Sequence, residues 1–227
     1  MDSSLGAIGL GFLFGLQHAT DADHVVAVAT IVSRTGRFAA GALVGAFWGL
    51  GHTVTIAAAG AAIVLFNVTV TPRAGLSMEL AVALMLMALG VARIVRLMRG
   101  REELPSHGHD GSGFWLVLRT LGPAQAARST LTGLVHGLAG SAAVALLVLS
   151  TVRSPYAAVV YLVVFGLGTI AGMIATTALL SVPFAARVPV LFRFRRVLAL
   201  GTGLLSLGFG LYLAVHIGFV DGLLLGR

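Results

Sequence analysis

Four ionisable side chains fall within seven residues in the middle of the first long apolar segment, residues 4–32. They are His18, Asp21, Asp23 and His24. An apolar run of that length predicts a membrane-spanning helix, because about 20 apolar residues cross the hydrocarbon core of a bilayer. A charged group at the centre of such a helix costs roughly 2.5–3.5 kcal/mol. The two aspartates therefore require partners or a function at that depth.

The composition indicates an integral membrane protein. Of the 227 residues, 58% are hydrophobic and only 10% are charged, whereas soluble domains carry about 25% charged residues. No polar run is long enough to form a second, soluble domain. The chain has no cysteine, which excludes thiolate metal sites, disulfides and thiol redox relays.

Six apolar windows are long enough to cross a bilayer. They cover residues 4–32, 38–66, 76–98, 130–152, 156–182 and 197–218. The first window is longer than a straight span needs, so we expect its helix to be broken or unwound at residues 18–24. Irregular backbone at that depth is tolerated where it lines a polar cavity. Residues 99–129 are expected to form a cytoplasmic loop with a short surface helix.

The arginines predict the topology. All 15 basic residues are arginines; 12 of them lie at the ends of the first, third and fifth apolar segments or in the loops that follow, and Arg73, Arg153 and Arg227 lie at the opposite ends. Because cytoplasmic loops carry the excess of positive residues, we expect a multi-pass protein of the bacterial plasma membrane with both termini outside. Arginines in these places indicate anionic lipid surfaces, and we expect no nucleic-acid partner.

Three short motifs recur in the same order in the second half of the chain. Residues 15–18 match 133–136, residues 49–52 match 166–169, and residues 86–90 match 204–208, at offsets of 117 or 118. The matches predict two copies of a three-helix unit, residues 1–98 and 130–227. Because an odd number of spans reverses the side of the membrane, the second copy would be inverted. Inverted repeats with broken helices and a midplane site are a transporter architecture.

The chemistry of the charged cluster indicates a metal site. Imidazole and carboxylate groups together bind first-row transition ions such as nickel or cobalt, so His18, Asp21, Asp23 and His24 are candidate ligands. On a continuous helix Asp23 would point away from the other three, and convergence of all four requires unwinding. Otherwise Asp23 would support a ligand or meet a neighbouring helix. The alternative is a buried polar network that only ties helices together.

Other polar residues at membrane depth extend the prediction. His52, mid-span and next to glycine, is a further candidate metal residue. His136 occupies the position of His18 in the second copy without acidic residues after it, so it is a candidate for the transport pathway, with helix packing as the alternative. We also place Thr53 on the pathway, together with Thr169, the counterpart of His52. Because the second copy lacks the acidic residues and has a threonine in place of His52, we expect the metal site to lie mainly in the first copy.

The histidine–aspartate pattern of residues 18–24 resembles the signature of the nickel/cobalt transporter family of secondary permeases. Residues 47–54, with Leu-Gly-His-Thr at their centre, are similar to that family's second signature. The chain departs from the longer, eight-helix members, because the His136 segment stands in place of their acidic motif and Thr177 in place of an aspartate. It is therefore more similar to the short, six-helix, urease-accessory-type permeases.

The resemblance implies a transporter for Ni²⁺, with Co²⁺ second, and no enzymatic activity. His18, Asp23, His24 and His52 are the metal residues that it transfers to this chain. The ion is the substrate, and no cofactor is expected. The expected partners are the ion, the lipid bilayer and nickel-handling metallochaperones in the cytoplasm, while the oligomeric state stays open.

Two alternatives to uptake remain at this level. An exporter of the same fold would have the same ligand set, because the direction of transport is not written in the ligands. An intramembrane metalloenzyme could use the same cluster to activate water. The chain lacks a His-Glu-x-x-His motif and an evident general base beyond the candidate ligands, which disfavours the enzyme.

Overall fold

The computed structural model describes residues 2–33, 38–66, 71–100, 114–137, 154–185 and 189–225. Those residues form seven α-helices and a final π-helical turn, and they contain no strand. The helices are α1 (Asp2–His18), α2 (Ala22–Val32), α3 (Phe38–Phe66), α4 (Pro72–Met98), α5 (Phe114–His136), α6 (Pro155–Ala185) and α7 (Pro189–Val215), and the turn is His216–Val220. The prediction of an all-α protein is confirmed for this part of the chain.

Four stretches of these helices are long and apolar enough to cross a membrane. They are Phe38–Ile63, Pro72–Met98, Tyr156–Pro183 and Arg196–Val220. Large apolar side chains on them face outward; Leu84, Leu167 and Leu205 are each more than half exposed. A contiguous apolar surface of this kind is rare on soluble proteins, whereas the hydrocarbon of a bilayer covers it. The chain is therefore a helical membrane protein.

The helix bounds agree with several of the predicted windows. Helix α3 covers the window 38–66, and α4 and α6 extend their windows by a few residues. Helix α5 is kinked at Gly122, where a φ of 72° breaks the helix just before Pro123. Residues 138–152 of the predicted fourth span and residues 101–113 of the predicted loop lie outside the described residues.

The first apolar segment forms two helices instead of one. Helix α1 ends at His18 and α2 begins at Ala22. Between them the backbone N–H of Thr20 donates to Gln17 and that of Asp21 to His18, a tighter turn than the α-helical pattern. The break predicted within residues 18–24 is therefore present. Helix α2 has 11 residues, about 16 Å, and is too short to cross the bilayer alone.

The short helix α2 lies inside the bundle, where it contacts α4, α6 and α7. Ala27, Val28 and Val32 on it are fully buried in the main apolar core. The hydroxyl of Thr30 donates to the carbonyl of Thr202 in α7 at 3.0 Å. These contacts hold the break between α1 and α2 away from lipid, as irregular backbone at membrane depth requires.

Arg93 of α4 lies at the other end of α2. Its guanidinium donates to the carbonyl of Ser33 at 3.5 Å, and only 2% of the residue is exposed. A cation is favourable there because the C-terminus of a helix carries partial negative charge. Arg93 is one of the 12 arginines from which the cytoplasmic side was predicted. In the structure it stabilises α2 and does not lie at a lipid surface.

Helices α1 and α6 pack closely through two glycines. A Cβ on Gly15 of α1 would collide with the carbonyl of Phe165, and a Cβ on Gly168 of α6 would collide with the carbonyl of Phe12. Only glycine allows the two backbones to approach this far.

Helices α5 and α3 pack in the same way. A Cβ on Gly133 of α5 would collide with the carbonyl of Trp48, and a Cβ on Gly51 of α3 would collide with the carbonyl of Thr130. Each of these four residues is 117 or 118 positions away from its equivalent in the α1–α6 contact. The close approach of α5 to α3 carries His136 and His52 to the same depth.

Candidate metal centre

Four imidazoles meet where α1 ends, α2 begins, α3 passes its middle and α5 ends. His18, His24, His52 and His136 are each at most 5% exposed. The ring centroid of His24 lies 4.7 Å from that of His18, 5.0 Å from that of His52 and 4.1 Å from that of His136. His24 is therefore the central ring of the cluster.

Asp21 determines which nitrogen of His18 carries the proton. Its Oδ2 lies 3.0 Å from Nδ1 of His18, and an ionised carboxylate only accepts, so Nδ1–H donates. The other nitrogen of His18, Nε2, then accepts from Nε2–H of His52 at 2.7 Å. Nδ1 of His52 keeps a lone pair and is buried, with no hydrogen-bond partner among the described residues.

Asp23 accepts from two further histidines. Its Oδ1 accepts from Nδ1–H of His24 at 3.2 Å, and its Oδ2 accepts from Nε2–H of His136 at 2.8 Å. These two hydrogen bonds leave Nε2 of His24 and Nδ1 of His136 each with an unused lone pair. Both nitrogens are buried and have no partner within the part of the chain that the structure describes. Helical unwinding before Ala22 allows Asp23 to join the cluster, as the convergence of all four residues required.

This arrangement has the features that a metal site requires. Leaving a buried polar atom unpaired costs about 1–3 kcal/mol, which a bound ion would offset. Histidines that bind metal commonly donate their other N–H to a carboxylate, which fixes the ring and raises its basicity. Both aspartates of the cluster act on imidazoles in this way. Ligand nitrogens lie about 2.0–2.1 Å from a zinc-like ion, so a pair on one ion would be roughly 3 Å apart. The two Nε2 atoms of His18 and His52 are 2.7 Å apart and share a proton in a hydrogen bond. Binding of one ion by both would therefore require a small separation of the rings and movement of the proton from Nε2 of His52 to its Nδ1.

The side chains form two overlapping groups of possible ligands. In the first group, one nitrogen each of His18, His24 and His52 lie within 4.8 Å of one another. In the second group, an oxygen of Asp23 and one nitrogen each of His24 and His136 meet the same limit. His24 belongs to both groups.

Trp48 borders this cluster and was not predicted as part of it. Its ring lies 6.2 Å from that of His24, nearly parallel at 23°, and 5.6 Å from that of His136. The residue is fully buried. A sequence signal existed, because Trp48 precedes His52 by four residues and such residues share a helix face.

Two predicted pathway residues do not join the histidine network. The hydroxyl of Thr53 donates to the carbonyl of Gly166 at 3.3 Å, and that of Thr169 donates to the carbonyl of Phe165 at 3.0 Å. Both hydroxyls therefore bond to the backbone of α6. Their assignment to the transport pathway stays a prediction without support from these contacts.

The fold and the site define a helical membrane protein with a buried histidine–aspartate cluster that could hold a metal ion. Residues 4–109 match a family described as NicO, high-affinity nickel-transport protein. The chain is also 33% identical over 222 residues to the urease accessory protein UreH of Bacillus sp. (strain TB-90), across 96% of this chain and 95% of that protein. No solved structure matches it significantly.

The chain therefore belongs to the nickel/cobalt transporter family, among its urease-accessory-type permeases. The resemblance drawn from the two sequence signatures is confirmed.

Proposed function

We propose that this protein is a secondary transporter that takes up Ni²⁺ across the bacterial plasma membrane, with Co²⁺ as a second substrate. Family membership supports nickel transport. The observation that carries the proposal is the set of three buried imidazole lone pairs that have no partner in the described structure, on His24, His52 and His136. Neutral imidazoles of this kind suit late first-row divalent ions better than Mg²⁺ or Ca²⁺.

The first ligand group is the proposed binding position. His18, His24 and His52 supply one nitrogen each. Asp21 and Asp23 hold the rings of His18 and His24 through their Nδ1–H groups. Both carboxylates also offset part of the charge of the dication where hydrocarbon solvates it poorly.

The membrane potential supports the inward direction. An elementary charge gains about 2.3 kcal/mol per 100 mV, so a dication gains about 4.6 kcal/mol on moving to the negative side. The chain has no lysine to complete a Walker-type nucleotide motif. The potential alone is therefore a sufficient driving force in this proposal, and the protein acts as a permease and not as an enzyme.

We propose six spans arranged as two inverted repeats, residues 1–98 and 130–227, joined by a cytoplasmic segment over residues 99–129. Helices α1 and α2 together make the first span. The matched glycine contacts of the α1–α6 and α5–α3 pairs support the duplication. The arginine distribution supports both termini outside.

The name of the relative, a urease accessory protein, supports nickel-handling metallochaperones as cytoplasmic partners.

The proposal is tested with purified protein in liposomes. Radiolabelled nickel is presented outside under an inside-negative potential, with cobalt, zinc and manganese as competitors. We expect potential-driven accumulation of nickel that cobalt inhibits more strongly than manganese. Nickel release from preloaded vesicles under an outside-negative potential, without accumulation in the first arrangement, would identify an exporter. An absence of nickel flux in both arrangements would contradict transport.

A further inference from the structure

We propose that the cluster contains two successive ion positions that share His24, and that Asp23 and His136 complete the second one. This inference rests on the proposed function, because it describes how the transported ion leaves its first position. It assigns His136 as a ligand, a role that neither its repeat position nor the sequence motifs predicted.

The geometry of the two ligand groups supports two positions. Each group brings three ligand atoms within 4.8 Å of one another. The ring of His24 stands between the groups, 4.7 Å from His18 and 4.1 Å from His136. The two groups share His24 as a ligand, so the two positions are close together. Two dications in adjacent positions would repel each other strongly, and the positions are therefore occupied in turn.

The two positions belong to different parts of the bundle. The first position takes its ligands from α1, α2 and α3, all within the first predicted repeat. The second position joins α2 to α5, whose last residue, His136, lies 2.8 Å from Asp23. An ion that moves from the first position to the second therefore passes to the contact between the two predicted repeats, where alternating-access transporters open and close.

The ligand chemistry differs between the positions in a way that favours transfer. The first group offers neutral nitrogens only, with the carboxylates behind the rings, whereas the second includes an oxygen of Asp23 itself. In the described structure Asp23 accepts from N–H groups of both His24 and His136. Binding of one ion by these three side chains therefore requires each proton to leave the ring nitrogen that faces the carboxylate. His18 and His52 then leave the ion as Asp23 and His136 bind it, and His24 remains a ligand throughout. The ion is then never without ligands in a region where an unsolvated charge is costly.

Trp48 forms one side of the second position. Its ring packs against both His24 and His136, at 6.2 and 5.6 Å. The ring fills space beside both imidazoles, and its indole N–H is buried with no hydrogen-bond partner among the described residues. Less room for water there favours transfer of the ion between protein ligands.

His136→Gln tests the second position. The side-chain amide of glutamine can donate to Asp23 as Nε2–H of His136 does, but it has no imidazole lone pair. The matched control is His216→Gln, because His216 lies in the final π-helical turn and its side chain is 43% exposed. Nickel binding is measured at equilibrium in nanodiscs, and initial nickel uptake is measured in liposomes. For His136→Gln we expect binding within about threefold of the unmodified protein and uptake slower by at least about tenfold. His216→Gln should change neither.

Two results would overturn the second position. One is uptake by His136→Gln at the rate of the unmodified protein. The other is a loss of nickel affinity in His136→Gln as large as that in His18→Asn, which would indicate a single position with all ligands in common. A failure of the proposed function is distinct from both, because the unmodified protein would then neither bind nor transport nickel.

A second variant decides the question if His136→Gln does not fold. His18→Asn preserves a donor to Asp21 but removes a nitrogen of the first position only. We expect this variant to keep weak nickel binding, and X-ray absorption should show fewer imidazole ligands and a carboxylate oxygen. Complete loss of binding in folded His18→Asn would contradict an independent second position.

Discussion

Asp23 accepts a hydrogen bond from His136 across 113 residues of sequence, at 2.8 Å, and so ties the first turn of α2 to the last turn of α5. The same carboxylate holds His24 through its other oxygen. One aspartate thereby positions two imidazoles from different parts of the chain. It leaves one nitrogen of each ring available to an ion, which makes Asp23 the organising residue of the centre.

Asp21→Asn should weaken nickel binding about 10- to 100-fold, the range seen when the partner of a metal-binding histidine is removed. The reason is that Asp21 fixes the Nδ1 proton and the ring orientation of His18. Calorimetric titration of nickel into protein in nanodiscs measures the change.

The control for that variant is Asp221→Asn. Asp221 makes the same kind of contact with His216, at 3.1 Å, in an exposed place. Its replacement should leave nickel binding unchanged. Equal losses in the two variants would mean that Asp21 has no special relation to the centre.

Trp48 should report metal binding through its fluorescence. The chain has two tryptophans, so Trp115→Phe leaves Trp48 alone, with its ring 6.2 Å from that of His24. Paramagnetic Ni²⁺ or Co²⁺ at this distance should quench the emission, while Mg²⁺, which prefers oxygen ligands, should not. The quenching should disappear in His24→Asn. Quenching that persists there would place the ion elsewhere.

Gly133→Ala should lower the thermal stability and impair uptake. The added methyl group would meet the backbone of Trp48 and push α5 away from α3, and overpacking of this kind costs about 1–3 kcal/mol. The separation would also move His136 from His52. Thermal unfolding followed by circular dichroism and nickel uptake measure the two effects.

Gly201→Ala is the matched control for the glycine contact. A Cβ there meets open space, and alanine is favoured over glycine in a helix interior by about 0.5–1 kcal/mol. Its stability should be equal or slightly higher. A loss similar to that of Gly133→Ala would show that the close approach of α3 and α5 is not the cause.

Much of the first half of the site could be predicted from sequence. His18, Asp21, Asp23 and His24 are conspicuous because ionised groups are costly in an apolar run, and their spacing required the break that the structure shows before Ala22. The sequence could not decide whether Asp23 would turn into the cluster. That outcome depends on the tight turn after His18 and on a partner in α5.

The contribution of α5 was harder to predict. The repeat assigned His136 a place equivalent to that of His18, but the absence of nearby acids left packing as an alternative. Its role depends on Gly133 and Gly51, which bring α5 onto α3 and so fix the depth of His136 relative to Asp23. The position of α5 along α3 is set by tertiary packing, and the local sequence pattern does not reveal it. The burial of Arg93 escaped prediction for the same reason.

The most direct test of the account compares nickel uptake by the unmodified protein with uptake by His24→Asn in liposomes under an inside-negative potential. Asparagine can keep a donor to Asp23 but lacks Nε2 of His24, the nitrogen that has no partner in the described structure. Because His24 belongs to both ligand groups, we expect accumulation by the unmodified protein and none above protein-free liposomes by the variant. Equal accumulation by the two proteins would contradict it.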